Sequence, residues 1–176
     1  MKTIIEINSD NPEIETFLEE SNAIEMEYSI DALDDAKKAW DYAYKNRKNI
    51  TVKYILEIHR LLLQRLDPKI AGKVRDCAVM IGYEVKEKKP EKVLLQEIKD
   101  WIIKCEEVTK ERKNEKATEK DIKKFHIDYE YLHNFCDGNG RTGRILWQIQ
   151  RLNNRLPIKI IHTGFEQQSY YQWFNQ

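Results

Sequence analysis

The chain lacks an excess of charge: Lys and Arg total 30, Asp and Glu total 30, and the formal net charge is zero. A global electrostatic attraction to nucleic acid is therefore not expected. It lacks an apolar run near the ~18 residues needed to span a bilayer, so no membrane partner is expected. Met1 to Glu6 shows neither the apolar core nor the cleavage site of a secretory leader. Cysteine is scarce: Cys77, Cys105 and Cys136 are an odd, scattered set with no CxxC spacing. That pattern argues for reduced thiols in a cytoplasmic setting and against a zinc site. No internal repeat is visible, and no GxxxxGK[ST] phosphate loop is present. Glycine is scarce too, yet three of the six glycines fall within twelve residues, His133 to Arg144.

What remains is an ordinary soluble composition, 41% apolar and 34% charged over 176 residues, which suits one compact domain with a sizeable core. The patterning predicts a mainly α fold with one short β-hairpin. Asn11-Pro12 opens a first helix, with Ile14, Phe17 and Leu18 at helical spacing. Ser29 opens a second, with Leu33, Ala36, Trp40 and Ala43 on one face. Thr51 opens a third, with Ile55, Leu56, His59, Leu62 and Leu63, expected to stop at Asp67-Pro68. Val74 to Val85 is β-prone and broken by Gly82, which predicts the hairpin. Val93 to Cys105 forms a strong helical stripe. Thr109 to Glu119 is charged and reads as a solvated loop or helix extension. Ile122 to Leu132 predicts a helix ending at His133, and Ile145 to Leu152 one that starts near Thr142 and ends by Leu156-Pro157. A last short helix is expected to hold Tyr170, Tyr171 and Trp173. His59 and His126 sit on apolar faces and read as core histidines, His162 as a surface residue, and Lys86 to Lys89 as a solvated turn.

The segment His133-Asn134-Phe135-Cys136-Asp137-Gly138-Asn139-Gly140-Arg141-Thr142-Gly143-Arg144 carries the chemistry. A helix start presents unpaired N–H groups and a positive dipole end, which suits phosphate. Gly138, Asn139 and Gly140 let backbone approach an anion closely. Arg141 and Arg144 are planar phosphate binders, placed where the dipole disfavours a cation unless an anion lies between. Asp137 supplies the single carboxylate that magnesium on a phosphate needs. His133 is the nearby group able to accept a proton at neutral pH.

This segment resembles the HxFxDGNGRxxR signature of the Fic family, with every specified position matched. Asn134 stands where the family usually has proline. Ile70 to Arg75 followed by a hairpin resembles the segment leading into the family's flap, and Tyr170-Tyr171 resembles its C-terminal helix. The likeness runs from about Thr51 to Phe174. It implies a Fic-type helical domain and a magnesium-dependent protein adenylyltransferase, moving AMP from ATP to a Ser, Thr or Tyr hydroxyl of a target protein. It assigns catalysis to His133, metal binding to Asp137, and nucleotide binding to Gly138, Asn139, Gly140, Arg141 and Arg144. Phe135 would anchor the turn in the core. The flap residues Val79, Met80, Ile81 and Gly82 would receive the target as an added strand. Transfer of another phosphate-containing group, removal of AMP, and a non-catalytic ATP-binding module are the alternatives. Members with an N-terminal inhibitory helix often self-associate, so a homo-oligomer is compatible.

The first helix adds a second resemblance. Ile14, Leu18, Ser21 and Glu25 share its apolar face at 3.6 residues per turn, while Glu19 and Glu20 point away. An inward Glu25 needs a partner. Ser21-Asn22-Ala23-Ile24-Glu25 resembles the family's inhibitory [S/T]xxxE motif, although Met26 replaces the usual Gly or Asn. The resemblance pairs Glu25 with Arg144 and places the inhibitory helix in residues 1–28, ahead of a catalytic part in residues 29–176.

Overall fold

The structure is a computed structural model, which describes residues 7–111 and 116–175. Among these are seven α-helices, one of them central and buried, and a two-stranded hairpin stands to one side. Helix α1 (Pro12–Ile24) begins where Asn11 Oδ1 accepts the Glu13 N–H and Pro12 takes the first helical position. Helix α2 (Ile30–Asn46) is capped by Ser29 and α3 (Val52–Leu63) by Thr51, as their sequences suggest. Helix α3 ends at Leu63, four residues before Asp67-Pro68. Turns carry the chain between them, with the Asp67 N–H bonded to the Leu63 carbonyl.

The hairpin pairs β1 (Val79–Ile81) antiparallel with β2 (Glu84–Lys86), Val79 opposite Lys86 and Ile81 opposite Glu84. Lys86 thus belongs to a strand, not to a solvated turn. Helix α4 (Glu91–Glu111) follows; the middle of the charged Thr109 to Glu119 stretch lies outside the described residues. Thr118 and Asp121 form a reciprocal capping box that opens α5 (Glu119–Leu132). Helix α6 (Asn139–Asn153) begins three residues before Thr142, and α7 (Phe165–Tyr171) continues into a 3-10 turn, Gln172–Phe174, which holds Trp173. Within the described residues no helix is long and apolar enough to cross a membrane.

The core is built on Trp40, Ile55, Ile58, Leu63, Ile98, Ile122, Phe135, Leu146 and Trp147. Helix α1 contributes Ile14, Phe17 and Leu18 to it. Helix α6 packs against α1, α2, α3 and α5, and every residue from 141 to 150 is buried. A helix buried all round is normally apolar all round. This one carries Arg141, Arg144, Gln148, Gln150 and Arg151 inside. Polar groups there must be partnered. Gln148 exchanges bonds with both the N–H and the carbonyl of Lys159, and Arg151 donates to the Pro157 carbonyl and to Glu119.

Candidate functional site

The site forms where α5 stops and α6 starts. His133 caps the C-terminal end of α5 in a left-handed conformation, φ 48°. That conformation is uncommon for a non-glycine residue and is held only by its surroundings. Two contacts do so. Arg75 Nε donates to the His133 carbonyl at 3.0 Å, and the Arg75 N–H donates to the Asn134 carbonyl at 2.9 Å. The imidazole lies half-buried with Nδ1 3.4 Å from the Glu130 carbonyl. A carbonyl only accepts, so the proton belongs on Nδ1 and Nε2 keeps its lone pair. Burial lowers the His133 pKa, so the ring is a neutral base at pH 7.

The next residues are clamped from both sides. Phe135 is buried and stacks on His59 with ring centroids 3.9 Å apart. Asn139 spends its side chain on Phe135, its Oδ1 accepting that N–H at 3.1 Å and its Nδ2 donating to that carbonyl at 2.9 Å. His59 Nδ1 accepts the Gly72 N–H, which leaves its Nε2 to donate to the Asp137 carbonyl, each at 2.9 Å. Burial drives the His59 pKa down to about 4, against the pull of the Asp137 carbonyl, so this tautomer persists across the physiological range. His59 is a core histidine, as its apolar stripe suggests, but it also ties the segment before the hairpin to the loop.

Helix α6 starts from Gly138 at φ 75°, with no side chain capping it. Its first-turn N–H groups, on Asn139, Gly140 and Arg141, have no intrahelical acceptor by geometry. Arg141 is buried in this first turn; its Nη2 reaches Asp137 Oδ2 at 3.2 Å, while its Nε has no partner among the described residues. Asp137 is exposed and its Oδ1 accepts the Gly138 N–H at 2.6 Å. One exposed carboxylate beside a helix start that suits an anion could hold magnesium, which takes few protein ligands.

Arg144 lies one turn further in and is buried. Its Nε donates to Ser21 Oγ at 2.9 Å, and its Nη2 to the Ser21 carbonyl at 2.8 Å and to Glu25 Oε1 at 2.7 Å. Burial alone would disfavour its charge; the Glu25 carboxylate, then Tyr170 and Glu130, outweigh that and raise its pKa. Glu25 sits just past the end of α1 as its C-cap and stays about a third exposed. Gly140 makes room for the pair: a Cβ there would lie 2.4 Å from Glu25 Oε1 and 2.8 Å from Arg144 Nη1. The structure thus brings together Ser21, Glu25, Gly140 and Arg144, with Arg141 and Asp137 on the same helix start. Val79, Met80 and Ile81 lie on β1 and Gly82 in its turn.

Two further residues shape the site without a local sequence signal. Arg75 is buried, and its Nη1 donates to the carbonyls of Cys77, Lys86 and Glu87, so one side chain holds the base of the hairpin against His133. Glu130 faces Arg144 from α5; burial raises its pKa to about 7, with Arg144 opposing and Glu25 adding.

Fold and site define a helical domain whose buried central helix offers an uncapped, arginine-lined N-terminus beside a histidine base. A model of the Fic/DOC family matches residues 49–150, more than half of the chain, which therefore belongs to that family. It is 31% identical over 156 residues to "Protein adenylyltransferase Fic" of Drosophila willistoni, covering 88% of this chain and 30% of that protein. It is 31% identical over 119 residues to "Protein adenylyltransferase fic-1" of Caenorhabditis elegans, covering 66% of this chain and 22% of that one. The chain thus spans under a third of these curated relatives. Among solved structures, a Fic domain containing signaling protein from Bacteroides thetaiotaomicron superposes with TM-score 0.71 at 17% identity, over 92% of this chain and 69% of that one. Fic-1 of C. elegans superposes with TM-score 0.63 at 21% identity, over 93% and 55%.

Proposed function

We propose that the chain is a protein adenylyltransferase that moves AMP from ATP to a Ser, Thr or Tyr hydroxyl of a target protein, restrained by Glu25. The observation that carries this reading is the carboxylate oxygen 2.7 Å from the buried Arg144 guanidinium. An anion supplied by the chain itself lies where phosphate charge would go, at an uncapped helix start beside a neutral histidine. The names of the related proteins support the same chemistry.

In this mechanism His133 Nε2 takes the proton of the target hydroxyl. The oxygen attacks the α-phosphorus in line, the bond from that phosphorus to the bridging oxygen breaks, and pyrophosphate leaves. The α6 N–H groups hold the non-bridging oxygens and Arg141 the charge that builds on the leaving group. Asp137 would hold magnesium, which supplies charge neutralisation to the phosphates. Arg144 takes the outer phosphate once Glu25 leaves it. The target segment pairs with the open edge of the hairpin and brings its hydroxyl to His133. A resting state closed 99:1 needs ~2.7 kcal/mol, and one charged hydrogen bond contributes about 1.5–3 kcal/mol.

The test uses ATP labelled on its α-phosphate, with magnesium and a cell lysate. Label on protein with Glu25→Gly, weak with wild type and lost when His133→Ala is added, is the expected pattern. Binding of ATP with no labelled protein in any lane contradicts the reading.

A further inference from the structure

Cys77 and Cys136 lie 59 residues apart in sequence, yet their Sγ atoms are 3.1 Å apart. The local register explains this. The Arg75 N–H is bonded to the Asn134 carbonyl, and two residues further along each segment the sulfurs meet. Cys77 is at the base of the hairpin; Cys136 is between Phe135 and Asp137 in the phosphate-facing loop. We propose that this pair is a modification site: a dithiol that closes into a disulfide with a hydroperoxide or disulfide oxidant and tethers the hairpin base to the loop.

Three observations separate this from an incidental contact. Cys77 is exposed and Cys136 half-buried, so an oxidant reaches one sulfur while the other waits beside it. A cleft of about 510 Å³ has Arg75, Asp76 and Cys136 among its lining residues, so Cys136 too borders open space. Cys105, the third cysteine, lies apart beside Gln150. Asp76 joins the two thiols in a cluster that could hold a metal. A structural zinc takes four protein ligands, and this cluster supplies three among the described residues, so the arrangement favours a covalent pair.

With peroxide the chemistry balances in two steps. The Cys77 thiol is oxidised to a sulfenic acid as peroxide is reduced to water. The Cys136 sulfur then attacks the Cys77 sulfur, the S–O bond breaks, and a second water leaves with the remaining thiol proton. Two thiols and one peroxide give one disulfide and two waters. The inference goes beyond the transfer reaction and does not depend on it.

The test treats the native 176-residue chain with stoichiometric hydrogen peroxide, counts free thiols, and maps peptides without reduction. The expected result is loss of two of the three thiols, an intramolecular Cys77–Cys136 cross-link, an intact mass lower by two hydrogens, and full reversal by dithiothreitol. Cys77→Ser and Cys136→Ser should each abolish the cross-link, and Cys105→Ser should keep it. Four results would overturn the inference: Cys77 oxidised to a sulfinic acid with Cys136 still free, a bond to Cys105, a bond between two chains, or zinc bound by wild type and lost in Cys77→Ser with no disulfide formed.

Discussion

The two sides of the α5–α6 junction are built in opposite ways. On one side the end of α1 closes over the helix start, and three charged or polar bonds join Ser21 and Glu25 to a fully buried arginine. On the other side the hairpin stands in solvent, with Met80, Tyr83 and Val85 exposed and its base held through Arg75. The α1 side is occupied from within the chain, whereas the hairpin side presents an open strand edge. In the proposed function, control therefore sits at Arg144 and recognition at β1.

The largest expected effect is at the residue between the two sides. His133→Ala should lower AMP transfer by about 10²–10⁴-fold with either state of Glu25, measured as labelled target per unit time. Because burial holds its pKa below the ordinary 6.5, the base form is complete at pH 7, and the rate should fall only as pH drops below 6.5. Next is the hairpin's support. Arg75→Ala removes a buried cation that serves four carbonyls of the hairpin base and His133, at a cost of about 3 kcal/mol. Thermal unfolding should shift down by roughly 6–12 °C.

On the closed side, Glu25→Gly should raise transfer by up to ~100-fold, the effect of freeing a 99:1 closed state. Ser21→Ala removes one hydrogen bond to Arg144, worth about 1 kcal/mol, and should raise transfer ~5-fold. The smallest effect concerns the far end of the α1 anchor. Glu20 accepts from the Thr163 N–H and pairs with His162 Nδ1 at 3.0 Å. The Glu20 bond raises the His162 pKa, and Glu20 is lowered because its bonds outweigh its burial. A raised histidine pKa means the pairing is complete below the unfolded value of 6.5 and is lost as pH climbs through the higher folded value. The wild-type share of Glu25→Gly activity should therefore drift upward by less than about twofold as pH rises above 6.5, and His162→Ala should remove the drift.

Much of both sides was legible in the chain. Periodicity located the helices because their apolar faces repeat every three to four residues, and Asn11, Ser29 and Thr51 marked starts by their own side chains. The α6 start was read three residues late for the same reason in reverse. Gly138 caps nothing with a side chain, so Thr142 looked like the first signal. The end of α3 was read late because its break is made by turns, not by Pro68 itself. An inward Glu25 was readable from a polar interruption of an apolar face, and its pairing with Arg144 from the resemblance to the inhibitory motif. Arg75, Glu130 and the second role of His59 were not, since their partners lie across space and leave no local pattern. Nor was the Cys77–Cys136 meeting, which follows from one backbone bond between Arg75 and Asn134.

The central claim is that Glu25 holds the outer-phosphate position and nothing else. It is tested most directly by titrating ATP and AMP into wild type and Glu25→Gly with magnesium present and measuring each Kd by calorimetry. Glu25→Gly should tighten ATP binding by about tenfold or more, the value of one charged hydrogen bond, and leave AMP binding unchanged. Equal changes for both nucleotides, or no change for either, would contradict it.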